Sequence, residues 1–298
     1  MARIVCLGEA MVELSARGDD WRVGHGGDTL NTAVHLARTG HDVAYMTALG
    51  HDAFSKRLRA AWAAEGLDCS LALDHPERQV GLYAIATDDR GERSFSYWRD
   101  TSAARALFEI DGIDRAMATA ERADLLCFSL ISLAILDEED RSALIGLAMR
   151  VRARGGRVAF DGNYRPRLWR SSTEARAWRD RAISVADIGL PTLEDEQALG
   201  AIGADVVAAH WQGLGCGEVV VKLGAEGARL PDGSLCPVPR RLDPVDTSGA
   251  GDAFNGGYLA ARMRGAAVRS AAEAGHALAS WTVMRPGAIP ARDAAAPY

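Results

Sequence analysis

Lysine is nearly missing from this chain: Lys56 and Lys222 are the only two among 34 basic residues, so almost all positive charge sits on arginine. That skew reads as compositional bias rather than function. Against 40 acidic residues the formal net charge is -6, which argues against the broad basic face that a nucleic-acid binder needs. An anionic partner must therefore be met by a few local cations. Cysteine is also sparse. Cys6, Cys69, Cys127, Cys216 and Cys236 are scattered, without the short spacing of a zinc site or redox motif, and are expected to be buried thiols in a reducing compartment. No apolar run is long enough to span a bilayer, and the first residues enter a short apolar strand without the features of a signal peptide. These absences predict a cytoplasmic enzyme with no membrane or nucleic-acid partner. Repeats, low-complexity tracts and long linkers are absent too, so 298 residues that are 48% hydrophobic predict one main domain over 1–298 with a small appendage.

What is present is a βα rhythm, the pattern of a sheet with crossover helices on both faces. Core strands are expected at Ile4 to Leu7, Val43 to Ala48, Leu125 to Ser129, Val158 to Asp161, Ile188 to Leu190 and Val219 to Leu223. Helices are expected at Leu30 to Arg38, Phe54 to Glu65, Glu138 to Arg154, Ala250 to Arg264 and Ser270 to Met284, the first three closed by glycine. One stretch breaks the rhythm: Val80 to Thr87 and Arg93 to Arg99 read as a hairpin joined by Asp88-Asp89-Arg90-Gly91-Glu92. A period of two puts Tyr83 and Ile85 on one face of its first strand and Phe95, Tyr97 and Arg99 on one face of its second. Such an amphipathic face suits a lid over a polar ligand, or aromatics packed on the main domain.

The most informative segment is Asp246-Thr247-Ser248-Gly249-Ala250-Gly251-Asp252-Ala253-Phe254, which opens a helix. Small residues let a ligand approach the backbone, and free N–H groups at the positive end of a helix favour phosphate oxygens. Asp252, in the first turn, could cap the helix. A carboxylate beside an anion site can also take a proton from an attacking hydroxyl. P-loop and protein-kinase signatures do not occur.

This string, continued by Gly256, Gly257, Tyr258 and Leu259, resembles the C-terminal signature of ribokinase-like (PfkB-type) sugar kinases. Gly26-Gly27, Asn31, Ala33, Gly40 and Gly50 resemble that family's other signature. Between them Asp28-Thr29-Leu30 departs from the general form and resembles the version in bacterial 2-keto-3-deoxygluconate kinases, as do Ser96-Tyr97-Trp98-Arg99, Ile131 to Ile135 and Asp161 to Trp169. The resemblance implies a three-layer αβα ribokinase-like fold with a small β-sheet lid, formed mainly by 80–99 with a short segment around 11–24. It implies Asp252 as catalytic base, with Gly249, Ala250 and Gly251 as the anion hole. Substrate contacts would fall to Gly27, Asp28, Asn31, Tyr83, Tyr97, Arg99, Ile131 and Arg165, besides Asp252. Arginine's planar fork suits a substrate carboxylate, although either arginine alone could be a surface charge. Leu130, where such kinases often have glycine, is expected to narrow the pocket slightly.

For ATP, the resemblance implies Thr192, Lys222, Gly224, Gly227, Gly249, Gly251 and Ala279, with adenine between the Lys222 turn and the helix bearing His276 and Ser280. Thr192 stands where the family has asparagine, and Asp195 is the residue implied for Mg²⁺, through water. A monovalent cation near Asp246 and a homo-oligomer formed through the lid are implied as well. The activity implied is ATP-dependent phosphorylation of 2-keto-3-deoxygluconate at its terminal hydroxyl. Its rivals are a kinase of a neutral sugar such as fructose or of a nucleoside, and a non-catalytic sugar-acid or nucleotide sensor. A dinucleotide-dependent oxidoreductase is disfavoured, because Leu7-Gly8-Glu9-Ala10-Met11 lacks the required glycine spacing.

Overall fold

In the computed structural model, residues 3–18, 20–87 and 93–298 are described. The chain begins with β1 (Arg3–Leu7), β2 (Met11–Arg17), β3 (Asp20–Gly26), α1 (Asp28–Arg38), β4 (Asp42–Leu49), α2 (Ala53–Ala64) and β5 (Ala72–Asp74). Next come β6 (Gly81–Thr87), β7 (Arg93–Trp98), α3 (Ile113–Ala120), β8 (Leu125–Ser129), α4 (Leu130–Ala134), α5 (Glu138–Ala153) and β9 (Arg157–Asp161). Then follow α6 (Ser172–Ser184), β10 (Ile188–Gly189), α7 (Leu193–Ala198), α8 (Ala204–Gly213), β11 (Glu218–Val219) and β12 (Val221–Lys222). The last elements are β13 (Ala228–Arg229), β14 (Leu235–Cys236), α9 (Ala250–Met263) and α10 (Val268–Val283).

Seven parallel strands form the main sheet in the order β11-β10-β9-β8-β1-β4-β5. Because side chains alternate along a strand, Val5 and Leu7 of β1 enter one core with α3, α5, α6 and α8, while Ile4 and Cys6 enter the other with α1, α2, α9 and α10. Trp211 and Trp62 are fully buried, one in each core. Burial of a large apolar side chain stabilises by about 1.5–3 kcal/mol, so both layers contribute. Helices α9 and α10 approach closely: a Cβ on Gly257 would lie 2.7 Å from the Ala274 carbonyl oxygen, which only glycine avoids.

The three-layer αβα arrangement is the one the sequence predicts, with element ends shifted by a residue or two. Two differences go further. The run at 219–223 is not one strand: Glu218–Val219 closes the main sheet, and Val221–Lys222 turns into a three-stranded sheet with β13 and β14. The hairpin is half of a larger sheet, ordered β3-β2-β6-β7, because residues 11–26 supply two full strands rather than a short segment. The expected hairpin loop, 88–92, lies outside the described residues. Cysteines 6, 127, 216 and 236 are buried, but Cys69 is only half-buried; all five are unpaired.

Candidate active site

A cleft of about 940 Å³ opens at the carboxyl ends of the main-sheet strands and is roofed by the inner face of the four-stranded sheet. Gly27, Asp28, Asn31, Tyr83, Tyr97, Arg99, Ile131, Arg165, Thr192, Asp195, Lys222, Gly224, Gly227, Gly249, Ala250, Gly251, Asp252 and Ala279 all line it. The fold therefore brings together every residue singled out for substrate, nucleotide or metal. Asp246 sits behind it. Its carboxylate accepts the Ser248 and Gly287 amides, each at 2.9 Å, and ties the turn before α9 to the segment after α10.

At one end of the cleft α9 begins. Gly249 is its N-cap at φ 69°, a left-handed conformation that glycine adopts without penalty. Asp252, in the first turn, is half-buried in the cleft wall, and Oδ2 accepts a hydrogen bond from Asn31 Nδ2 at 2.7 Å. Burial is the main reason its carboxyl is pushed up to about 8; the Asp28 and Asp161 charges add to the effect, and Asn31 and Lys222 oppose it. Asp28 is itself raised by burial and is held by Asn163 Nδ2 at 3.1 Å.

Lys222 lies beneath this turn rather than in solvent. Its Nζ donates to Asp161 Oδ1 at 3.0 Å and Asn255 Oδ1 at 3.2 Å, and Asn255 Nδ2 donates to Asp161 Oδ2 at 2.8 Å. The ammonium is 3.6 Å from where a Cβ on Gly251 would be, which places a paired positive charge just below the glycine turn. His276 and Ser280 border the same end, where His276 Nε2 contacts the Cys236 carbonyl at 3.0 Å.

At the other end, Tyr83 stacks on Tyr97, with ring centroids 6.0 Å apart, and donates its hydroxyl hydrogen to Glu13. Arg99 is buried where the four-stranded sheet meets the main body and is paired with Glu9, which also accepts from Ser102. Arg165 is half-exposed and donates to Asp195 Oδ1 at 3.1 Å. Thus both arginines border the cleft, yet each already has a carboxylate. Asp195 is raised chiefly by burial, against the lowering effect of Arg165. Leu130 does not narrow the cleft: it is fully buried in the core, and Ile131 beside it faces the opening.

Glu9, Glu13, Asn163 and Asn255 join the site as well, with no role legible for them in the sequence. Glu13 carried a local signal, since a carboxylate at an alternating position of an apolar strand has to meet a polar group. The Asn255 and Glu9 partners lie 94 and 90 residues away, and no local pattern reveals such pairings.

The model of the pfkB family carbohydrate kinases matches residues 1–295. A 2-dehydro-3-deoxygluconokinase from Dickeya dadantii is 41% identical, covering 96% of each chain. A fructokinase from Vibrio alginolyticus is 28% identical over 89% of this chain and 85% of its own. Among solved structures, a PfkB protein from Polaromonas sp. JS666 superposes with TM-score 0.81 at 30% identity, covering 97% of each chain. Aminoimidazole riboside kinase from Salmonella enterica, complexed with aminoimidazole riboside and an ATP analogue, superposes with TM-score 0.82 at 25% identity, covering 96% and 95%.

Proposed function

The chain belongs to the pfkB family of carbohydrate kinases, and from that membership we propose that it transfers the γ-phosphoryl group of ATP to the terminal hydroxyl of 2-keto-3-deoxygluconate, giving 2-keto-3-deoxy-6-phosphogluconate. The observation that carries this reading is the pairing, in one cleft, of a desolvated carboxyl raised to about 8 with the glycine turn that opens α9. Such a carboxyl is a competent base near neutral pH, and the turn offers amides to a moving phosphoryl group. The choice of substrate follows the 41% identical 2-dehydro-3-deoxygluconokinase rather than the 28% identical fructokinase.

Asp252 takes the proton of the attacking hydroxyl while Asn31 orients its other oxygen. The amides of Gly249, Ala250 and Gly251 offset charge on the transferred group, with the Lys222 ammonium behind them. Thr192, Gly224, Gly227 and Ala279 border the nucleotide, and Gly27, Asp28, Tyr83, Tyr97 and Ile131 border the sugar acid. Arg99 and Arg165 meet its carboxylate. Their present partners, Glu9 and Asp195, keep the two cations in place until the substrate arrives. Asp195 and the neighbouring Glu194 line the cleft and suit Mg²⁺, which needs only one or two carboxylates besides water and phosphate and would supply charge neutralisation. A monovalent cation near Asp246 would act on the strap between the glycine turn and Gly287. The four-stranded sheet acts as a lid that excludes water and pairs with a second copy. No helix among the described residues is long and apolar enough to cross a membrane; with five unpaired cysteines, the cytoplasm is the proposed setting.

The test is a coupled ADP-release assay over 2-keto-3-deoxygluconate, fructose and a nucleoside. Turnover with the sugar acid should exceed that with either neutral compound. Arg165→Gln should weaken the sugar acid roughly ten- to a hundredfold and leave ATP affinity nearly unchanged. Equal turnover of fructose by the parent protein would overturn the sugar-acid assignment.

A further inference from the structure

We propose that His35, inside the N-terminal signature, and Tyr298, beyond the C-terminal one, are positioning residues for phosphoryl transfer: a one-way chain of hydrogen bonds through them holds Ala288 against Gly249 and so fixes the glycine turn. The inference rests on the kinase reading above.

Direction in the chain follows from chemistry. His35 is completely buried on α1, and burial lowers its imidazole to about 3, so the ring is neutral and carries one N–H. The Ala288 carbonyl, 3.3 Å from Nε2, can only accept, so the hydrogen is on Nε2. Nδ1 must then accept, and the Tyr298 hydroxyl, 2.7 Å away, donates to it. Arg38 Nη1 in turn donates to the Tyr298 oxygen at 3.2 Å and to the Pro290 carbonyl at 2.8 Å. The guanidinium is anchored by Glu65 through Nε and Nη2 at 2.7 and 2.6 Å. Arg38 at one end can only donate and the Ala288 carbonyl at the other can only accept, so the arrangement has a single polarity.

The end of the chain touches the reaction site. A Cβ on Gly249 would fall 2.5 Å from the Ala288 Cβ and 2.8 Å from its Cα, so the turn rests directly on this residue. Gly287, next to it, is tied to Asp246 on the other side of the turn. Helix α1 therefore acts at both ends of the chemistry. Asn31 holds the Asp252 carboxylate, and one turn further on His35 holds the support of the anion-binding amides. Those amides are useful only if aimed at charge that develops during transfer, and small displacements are costly.

The decisive variant is Tyr298→Phe, which keeps the ring contacts with His35 and Trp281 and removes only the hydroxyl. With 2-keto-3-deoxygluconate and ATP, kcat should fall roughly tenfold, short of the hundred- to thousandfold cost of deleting an anion-hole donor, while KM for the sugar acid stays near the parental value. Binding of ADP with aluminium fluoride and the sugar acid should weaken in step with kcat, and binding of ADP alone should not. Arg285→Ala is the control: it removes the Asp293 pair and the stacking on Trp281 in the same tail without touching the chain, and should lower stability but not kcat. If Tyr298→Phe folds poorly, His35→Gln, whose amide offers the same donor and acceptor, should retain most of the rate that His35→Leu loses. Parental kcat in Tyr298→Phe, or an equal loss in Arg285→Ala, overturns the proposal. Absence of sugar-acid turnover in the parent protein instead overturns the kinase assignment.

Discussion

In the proposed function Asp252 concentrates the chemistry in one residue, and its environment makes two opposite demands. In the fold its carboxyl is raised to about 8, far above the ordinary 3.8, so between those values the folded chain holds a proton that the unfolded chain releases. Stability therefore falls as pH rises through this window. The same shift would fit Asp252 to the proposed task of a base. In Asp252→Asn, turnover should drop by about 10²- to 10⁴-fold, while ligand-free unfolding at pH 7 should move to higher temperature. A variant that kept its rate would remove Asp252 from the mechanism. The pH dependence follows: kcat/KM should climb with pH through a limb near 8. Asp28→Asn removes the largest charge that raises Asp252 and should shift that limb toward acid, as a kcat/KM series read from pH 5.5 to 9.5 would report. At this scale the sequence was legible because the glycine turn and its aspartate lie within one short string. Lys222 was legible only in part: its strand was visible, but its burial against Asp161 and Asn255 depends on partners 61 and 33 residues away.

Elements were legible wherever a single period ran to a glycine, as in α1, α2 and α5. The four-stranded sheet was harder. Its strands β2 and β6 pair in parallel, from Met11 opposite Gly81 to Ser15 opposite Ile85, across a separation that no local signal spans. In β3 the exposed residues blur any alternation. The element is held to the main body by the buried Glu9–Arg99 pair, with Ser102 on the second Glu9 oxygen. Two buried opposite charges gain little over apolar neighbours, but removing one strands the other. Glu9→Gln should accordingly destabilise the protein by about 3–5 kcal/mol, measured by denaturant unfolding. It should also raise KM for the sugar acid, because Arg99 loses the partner that fixes its fork. Unchanged stability would mean that the joint is held elsewhere.

At the scale of the whole molecule, the four-stranded sheet has two faces, and the cleft uses only one. Register puts Glu13, Tyr83 and Tyr97 in line on the inner face, whereas Val12, Leu82 and Trp98 share the other, together with Ala16 opposite Trp21. Trp98 and Trp21 are 61% and 51% exposed, although tryptophan is a side chain that proteins usually cover. Leu14, Val23 and Leu82 continue the same face inward, partly buried. Aromatic residues within an apolar patch are the composition of an interface core, and a lasting dimer needs about 1,000 Å² or more of buried surface. A second copy of the same face, related by a twofold axis, would supply that cover by self-complementarity, as the proposed pairing through the lid requires. Sedimentation velocity should therefore find a dimer in the parent protein and a folded monomer after Trp21→Glu with Trp98→Glu, since paired carboxylates at a desolvated interface are strongly unfavourable. Because the exposed tryptophans lie on the face opposite the cleft, the monomer should keep the Asp252-dependent pH limb even if the roof closes less tightly and KM rises. A parent protein that sediments as a monomer at micromolar concentration would leave Trp21 and Trp98 without this role.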